Sequence, residues 1–339
     1  MSKLLLTFVC LLFLIILSVF FYSYSLEKSA LEKNPKLGVT FSDKYARYLG
    51  LNPIEVLEAS IKELKVKNIR VPLYWDQIEK AVGEYEFSDV DKYVNLISKN
   101  GGKIILVIGN KVPRWPECHT PTYLKNLSKE RKQERLLKYL EIVVKRYDKN
   151  PSIVAWQIEN EPFLNFGICP KLDKQSFPTD REFLEKEISL VRSLTQKPTI
   201  VTDSGELTTW KNSLKLSDIL GISVYRVVHD PFFSYVNYPF SPSFYSLKDK
   251  LLRFLFPSNN KETIIVELQA EGWFTKGIRE TKVQEQIKAF PVKNIEKNLQ
   301  FAKKTGFAEV YFWGLEWWYY LKLKGHSEYW EKAKEIFNN

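Results

Sequence analysis

Residues 153–163 read IVAWQIENEPF and residues 263–273 read TIIVELQAEGW. Each opens as a short run of β-branched and apolar residues and breaks off in acids next to Pro or Gly. Such a run reads as a buried strand, and each delivers a carboxylate, Glu161 or Glu267, where the strand gives way to a loop. Six more runs of the same kind occur in the chain: LGVTF (37–41), IRVPL (69–73), KIILVIG (103–109), TIVTD (199–203), DILGISVY (218–225) and AEVYFWG (308–314). The segments between them are charged, with apolar residues at helical spacing. In the first, Asn52 suits the cap, Pro53 the first helical position and Glu55 the third, while Ile54, Leu57, Ile61 and Leu64 form one face. Eight strands alternating with helices predict an α/β fold, a single (β/α)8 TIM barrel over residues 37–339. A doubly wound sheet is the alternative. It would carry a Gly-rich phosphate turn after its first strand, where this chain has TFSDKY.

The first residues differ from all that follows. No charge occurs from Leu4 to Leu26, and LLLTFVCLLFLIILSVFFY is almost wholly aliphatic and aromatic. About 20 such residues in a helix span a bilayer core. Residues 1–26 are therefore expected to be a transmembrane anchor with the remainder extracytoplasmic, and residues 27–36 a linker. The alternative is a cleaved signal and a secreted protein, with Ser23 and Ser25 at a weak small-x-small site. The net charge of +10 comes from 50 Lys and Arg against 40 Asp and Glu, scattered over helix faces without a basic block. That pattern argues against nucleic-acid partners.

The chemistry follows from placement. In a barrel of this kind, working side chains sit at strand C-termini around one mouth. Those positions hold Arg70 on the second strand, Asn160 and Glu161 on the fourth, Tyr225 on the sixth, Glu267 on the seventh and Trp313 on the eighth. Two glutamates facing each other suit acid–base cleavage of a sugar acetal, one protonating the leaving oxygen and the other attacking the anomeric carbon. Arg70 and Tyr225 are expected to reach Glu267 and hold it ionised. Asn160 suits a sugar hydroxyl, and Trp313 a ring face. Strand alternation puts Glu159 on the same side as Glu161, so Asn160 and Glu161 both face the mouth only if the strand breaks up there. Glu271, four residues past Glu267, is the competing nucleophile or a rim residue. Neither a metal nor a cofactor is implied by three cysteines without a CxxC.

These residues resemble clan A, the retaining (β/α)8 glycosidases, whose signature is an Asn-Glu acid/base on strand four and a Glu nucleophile on strand seven. The segment Arg70–Glu117 resembles family 42 and family 35 β-galactosidases and family 5 cellulases. It carries a strand-two Arg followed by a Trp (Trp75), a Gly-x-Tyr-x-Phe turn (Gly83, Tyr85, Phe87) and a Pro-x-Trp after strand three (Pro113, Trp115). ELQAEGWF is similar to a stretch of family 35. The resemblance covers residues 37–314 and implies a retaining β-glycoside hydrolase acting on an oligo- or polysaccharide. It also implies Trp75 and Trp115 as supporting residues, carboxyl groups about 5–5.5 Å apart and a cis peptide after Trp313. The chain departs from family 5 in lacking a His after strand two or before the strand-six Tyr. The rival readings are a catalytically silent cell-surface carbohydrate-binding barrel, or a transglycosylase using the same residues. Cys118 and Cys169 lie just past adjacent strands and are expected to pair as a disulfide.

Overall fold

The computed structural model describes residues 3–31, 34–164, 180–230, 234–259, 262–274 and 276–338. Eight parallel strands close into a barrel: β1 (Lys36–Thr40), β2 (Asn68–Pro72), β3 (Lys103–Ile108), β4 (Ile153–Ile158), β5 (Thr199–Ser204), β6 (Ile219–Val224), β7 (Glu262–Gln269) and β8 (Glu309–Trp313). Each lies on one of the eight runs read from the sequence. Closure comes where β1 pairs with β2 on one side and with β8 on the other, Val39 opposite Ile69 and Phe312.

Side chains alternate across each strand. One set, including Val39, Ile69, Leu106, Trp156, Leu220, Ile265 and Phe312, packs under the surrounding helices in the main core. The other set fills the barrel, with Ile105, Ala155, Ile200, Ile264, Val266 and Tyr311 as an apolar plug. Above the plug the inward positions turn polar: Thr40, Arg70, Gln157, Thr202, Ser223 and Glu267 are all buried. The helices form as the sequence dictates. Asn52 caps Pro53–Lys62 by accepting from the Ile54 amide at 3.0 Å, and Val56, Leu57 and Ile61 are buried. Ser128, Asp180 and Ser241 cap Lys129–Tyr147, Arg181–Leu194 and Pro242–Leu255 in the same way.

Two irregularities shape the mouth. In β7 the pairing register shifts around Val266, a bulge that turns both Val266 and Glu267 inward. In β4 the strand dissolves, Glu159 and Glu161 both taking left-handed backbone (φ +58° and +46°).

Lys3–Leu31 is one continuous helix, extending into the stretch that composition marks as a linker. Its C-terminal end rests on the barrel: Ala30 is buried, Glu27 accepts from the Ser243 amide at 3.1 Å, and Lys250 Nζ donates to the Tyr22 hydroxyl at 3.2 Å. The anchor expected from the sequence finds no support here. Among the described residues no helix is long and apolar enough to cross a membrane, although several side chains of this helix fall outside the description.

The peptide after Trp313 is trans, against the cis bond implied by the resemblance; the cis bond among the described residues is Trp115–Pro116. The chain turns after β8 through Gly314 itself, at φ +147°, which an L side chain rarely adopts. A Cβ there would lie 2.8 Å from the Ala270 carbonyl oxygen. Gly314→Ala is therefore expected to destabilise the barrel by about 2–4 kcal/mol, through backbone strain plus a backbone clash. Chemical denaturation checks this, and an unchanged midpoint would contradict it.

Candidate active site

The barrel mouth is organised by Arg70, which is fully buried. Its Nη1 donates to Glu267 Oε1 at 2.9 Å, its Nε to Gln157 Oε1 at 2.7 Å and its Nη2 to Asn160 Oδ1 at 2.9 Å. Nη1 also lies 3.3 Å from the Val266 carbonyl, which the β7 bulge leaves pointing inward. The second carboxylate oxygen of Glu267 accepts from the Tyr225 hydroxyl at 2.9 Å. Both partners expected for Glu267 thus reach it.

Asn160 is oriented by the same guanidinium. Arg has donors only, so the atom facing it must be the amide oxygen. Thr202 reaches that oxygen too, at 3.2 Å. The amide nitrogen is left directed away from Arg70, suited to a substrate hydroxyl.

Glu161 sits opposite. Its backbone N–H donates to Thr202 Oγ1 at 2.8 Å, and Ser223 Oγ donates to its Oε1 at 2.6 Å. Ser223 is also the strand neighbour of Glu267 in register, so one β6 residue lies beside both carboxylates. Burial first, then the negative charges of Glu267 and Glu117, push the Glu161 carboxyl up to about 8.

Glu159 does not share the mouth with Glu161, as regular alternation would have it. Left-handed backbone swings it outward, where its oxygens accept from the Asn110 and Lys111 amides at 2.7 and 2.6 Å. Gly109 makes this possible, because a Cβ there would come within 2.7 Å of the Glu159 carboxyl. Beneath it Glu187, buried on the helix Arg181–Leu194, keeps its proton well above the ordinary range, through burial and the Glu159 charge.

The loop after β3 contributes residues whose roles the sequence did not suggest. Lys111 Nζ donates to the Glu161 carbonyl at 2.9 Å and lies 3.4 Å from Glu117. Arg114 is buried, with its guanidinium between the rings of Tyr45 (3.7 Å) and Trp313 (3.8 Å). It pairs with Glu271 and, at 2.9 Å, with Glu316. Glu271 is therefore held in an ion pair with Arg114, while Arg70 and Tyr225 bond Glu267. Trp313 lines the mouth with one ring face covered by Arg114. Trp115, on the same loop, is two-thirds exposed, at 66%.

Trp75 does not reach the mouth. It is fully buried, stacks on Tyr139 and donates from its indole to Glu79 at 2.7 Å. The short helix Trp75–Ile78 begins a few residues after β2 ends at Pro72 and carries the ring into the core. Cys118 is buried beside Lys111, and Cys169, its expected partner, lies outside the described residues. Groups of three or more potential metal ligands are absent among the described residues.

Four buried carboxyls here and nearby, Glu159, Glu161, Glu206 and Glu316, are pushed up to about 7 or 8, in each case chiefly by burial. Their folded values lie above the unfolded value near 4.5. Between the two the folded state binds more protons, so stability falls as pH rises and the loss is complete above about pH 8. Buried His119, held well below its ordinary value by burial, opposes this trend only up to about pH 6.5. The melting temperature is expected to drop by several degrees from pH 6.5 to 8.5, and a rise over that interval would contradict the assignment.

A family model described as cellulase, glycosyl hydrolase family 5, matches residues 38–224, more than half of the chain. A curated relative, the beta-galactosidase BgaA of Clostridium cellulovorans, is 25% identical over 168 residues, 44% of this chain and 25% of its own length. Among solved structures, a beta-galactosidase from Rahnella sp. R3 is similar in fold, with a TM-score of 0.59 and 14% identity over 90% of this chain and 56% of that one. A family 5 subfamily 18 protein from Bifidobacterium longum subsp. longum matches with a TM-score of 0.59 and 10% identity, over 83% of this chain and 70% of its own. At these identities the structural likeness speaks for the fold. The chain spans a quarter of the curated relative and about half of the Rahnella protein.

Proposed function

Because this chain belongs to the cellulase family, glycosyl hydrolase family 5, we propose that it hydrolyses β-glycosides with retention of anomeric configuration. The observation that carries the reading is the contrast between the two carboxyls. Glu267 has Arg70 on one oxygen and Tyr225 on the other, the environment of an ionised nucleophile. Glu161 is buried with the Glu267 and Glu117 carboxylates nearby, the environment of a protonated acid, and these outweigh the serine hydroxyl on one of its oxygens.

In the first step Glu267 attacks the anomeric carbon as the bond to the leaving oxygen breaks, and Glu161 gives its proton to that oxygen. The product is a glycosyl ester of Glu267. In the second, Glu161, now a carboxylate, takes a proton from water as the water oxygen displaces Glu267. Asn160 is suited to the hydroxyl next to the anomeric carbon, Trp313 to the sugar ring and Trp115 to a sugar further out. The substrate class is an oligo- or polysaccharide β-glycoside.

Glu267→Gln is expected to lower turnover of aryl β-glycosides by about a thousandfold or more, with the fold intact. Glu161→Gln is expected to cost about 10²–10⁴-fold on poor leaving groups and far less on dinitrophenyl glycosides, which need no acid. Proton NMR of the first-formed sugar distinguishes retention from inversion, and an inverted product would remove the covalent step. For the parent enzyme kcat/KM should fall as pH rises through about 8, as Glu161 loses its proton.

We also propose that residues 4–26 tether the protein to a membrane with the barrel extracytoplasmic, and that Cys118 pairs with Cys169. The tether rests on the uncharged run from Leu4 to Leu26. The full chain should then sediment with membranes after carbonate washing while residues 35–339 stay in the supernatant; recovery of the full chain in the supernatant would end this reading.

A further inference from the structure

The hairpin that follows β3 carries the most concentrated set of charged side chains at the mouth, and the mechanism above uses none of them. Lys111 pairs with Cys118 in an isolated antiparallel bridge, the Val112 amide donates to the Glu117 carbonyl at 2.9 Å, and the His119 amide donates to Asn110 at 2.9 Å. Within this small frame Arg114 and Glu117 hold left-handed backbone, φ +85° and +68°. Non-glycine residues in that region cost free energy and persist where the surroundings fix them, commonly at functional sites. The turn presents Glu117 to Lys111 at 3.4 Å, and the same ammonium grips the Glu161 carbonyl at 2.9 Å.

We infer that Glu117 is a positioning residue for Glu161: it holds the Lys111 ammonium against the Glu161 backbone carbonyl and offsets that cation's charge beside the acid. This rests on Glu161 being the acid/base. Among the described residues, the charged and titratable groups around Glu161 are Glu267 on β7, Tyr225 after β6, Tyr238 beyond it, and Lys111 and Glu117 on the β3 loop. Arg70 is engaged by Glu267, so it offsets the nucleophile's charge more than it draws the proton from Glu161. Among the described residues that leaves Lys111 as the cation beside the acid, and on its own it would favour ionised Glu161. Glu117, paired with that ammonium, offsets it. Its own carboxyl is raised by burial and by the Glu267 charge, with Lys111 working the other way, as expected for a group inside the same field.

The test is the pH profile of kcat/KM for Glu117→Gln on an aryl β-glycoside with a poor leaving group. Removing one negative charge and unmasking Lys111 should lower the alkaline limb by about one pH unit, the order by which a neighbouring charge shifts a carboxyl. Glu117→Asp, which keeps the charge, should leave the limb nearly in place. A collapse of the loop would instead depress activity at every pH with the limb unmoved, and an unmoved or raised limb overturns the inference. Should Glu117→Gln prove too slow to profile, the carboxyl ¹³C titration of Glu161, identified by its loss in Glu161→Gln, reads the same shift directly. The two readings fail separately. If Glu161→Gln retains the parent limb, the acid/base assignment is wrong; if it abolishes acid catalysis while Glu117→Gln leaves the limb unmoved, only the role of Glu117 is wrong.

Discussion

A guanidinium with no access to water sits at the centre of this barrel, and the geometry of the mouth depends on it. Arg70 brings five donors in a rigid plane, and all three of its nitrogens are matched by acceptors from β4, its broken end and β7. Burying the charge would be prohibitive without those partners, and removing the arginine would strand Glu267 as an unpaired buried carboxylate. The same plane decides which end of the Asn160 amide points outward. It also absorbs the carbonyl that the β7 bulge turns into the barrel. A lysine, a single ammonium on a flexible stem, has three donors but no plane and could not hold these positions together.

Around that centre the charges are distributed in pairs: Arg70 with Glu267, Lys111 with Glu117, and Arg114 with Glu271 and Glu316. Glu161 stands outside this pattern. Its carboxyl accepts from the hydroxyl of Ser223, and Lys111 grips its backbone carbonyl. The two glutamates therefore meet different surroundings: Glu267 is bound by a cation, while burial and its neighbours' charge raise the Glu161 carboxyl.

The architecture was readable because buried parallel strands announce themselves as apolar, β-branched runs, and the barrel uses eight of them at their expected places. Glu267 and Glu161 followed from the ends of two such runs. What escaped was whatever depended on breaking a period. The outward swing of Glu159 needs positive φ at Glu159 and room at Gly109, neither of which a hydrophobic pattern encodes. Trp75 follows strand two by a few residues, as a site tryptophan does in the resembled families. The helix that begins at Trp75 itself turns the ring into the core. The apolar N-terminal run read as an anchor or a cleaved signal, yet the helix it forms packs on the helix Pro242–Leu255 through Tyr22 and, just past the run, Glu27.

Lys111, Arg114 and Glu117 form the largest gap between sequence and site, and the reason is physical. KVPRWPEC has no periodicity, so nothing in it says which side chains turn inward. Its one signal is density, two cations, an acid and two prolines in a turn too short to let them all reach solvent. Such a segment either frays or is pinned by specific bonds, and here it is pinned: backbone bonds close the hairpin and ion pairs fasten each charge to the mouth. Arg114 shows what this fixing achieves. Held between Tyr45 and Trp313, it occupies an aromatic face that a sugar would otherwise find open. The strands supply the two facing carboxyls, while this aperiodic loop sets how much of the cleft remains around them. Selectivity among glycosides should therefore respond more to changes in the loop than to changes in the barrel wall.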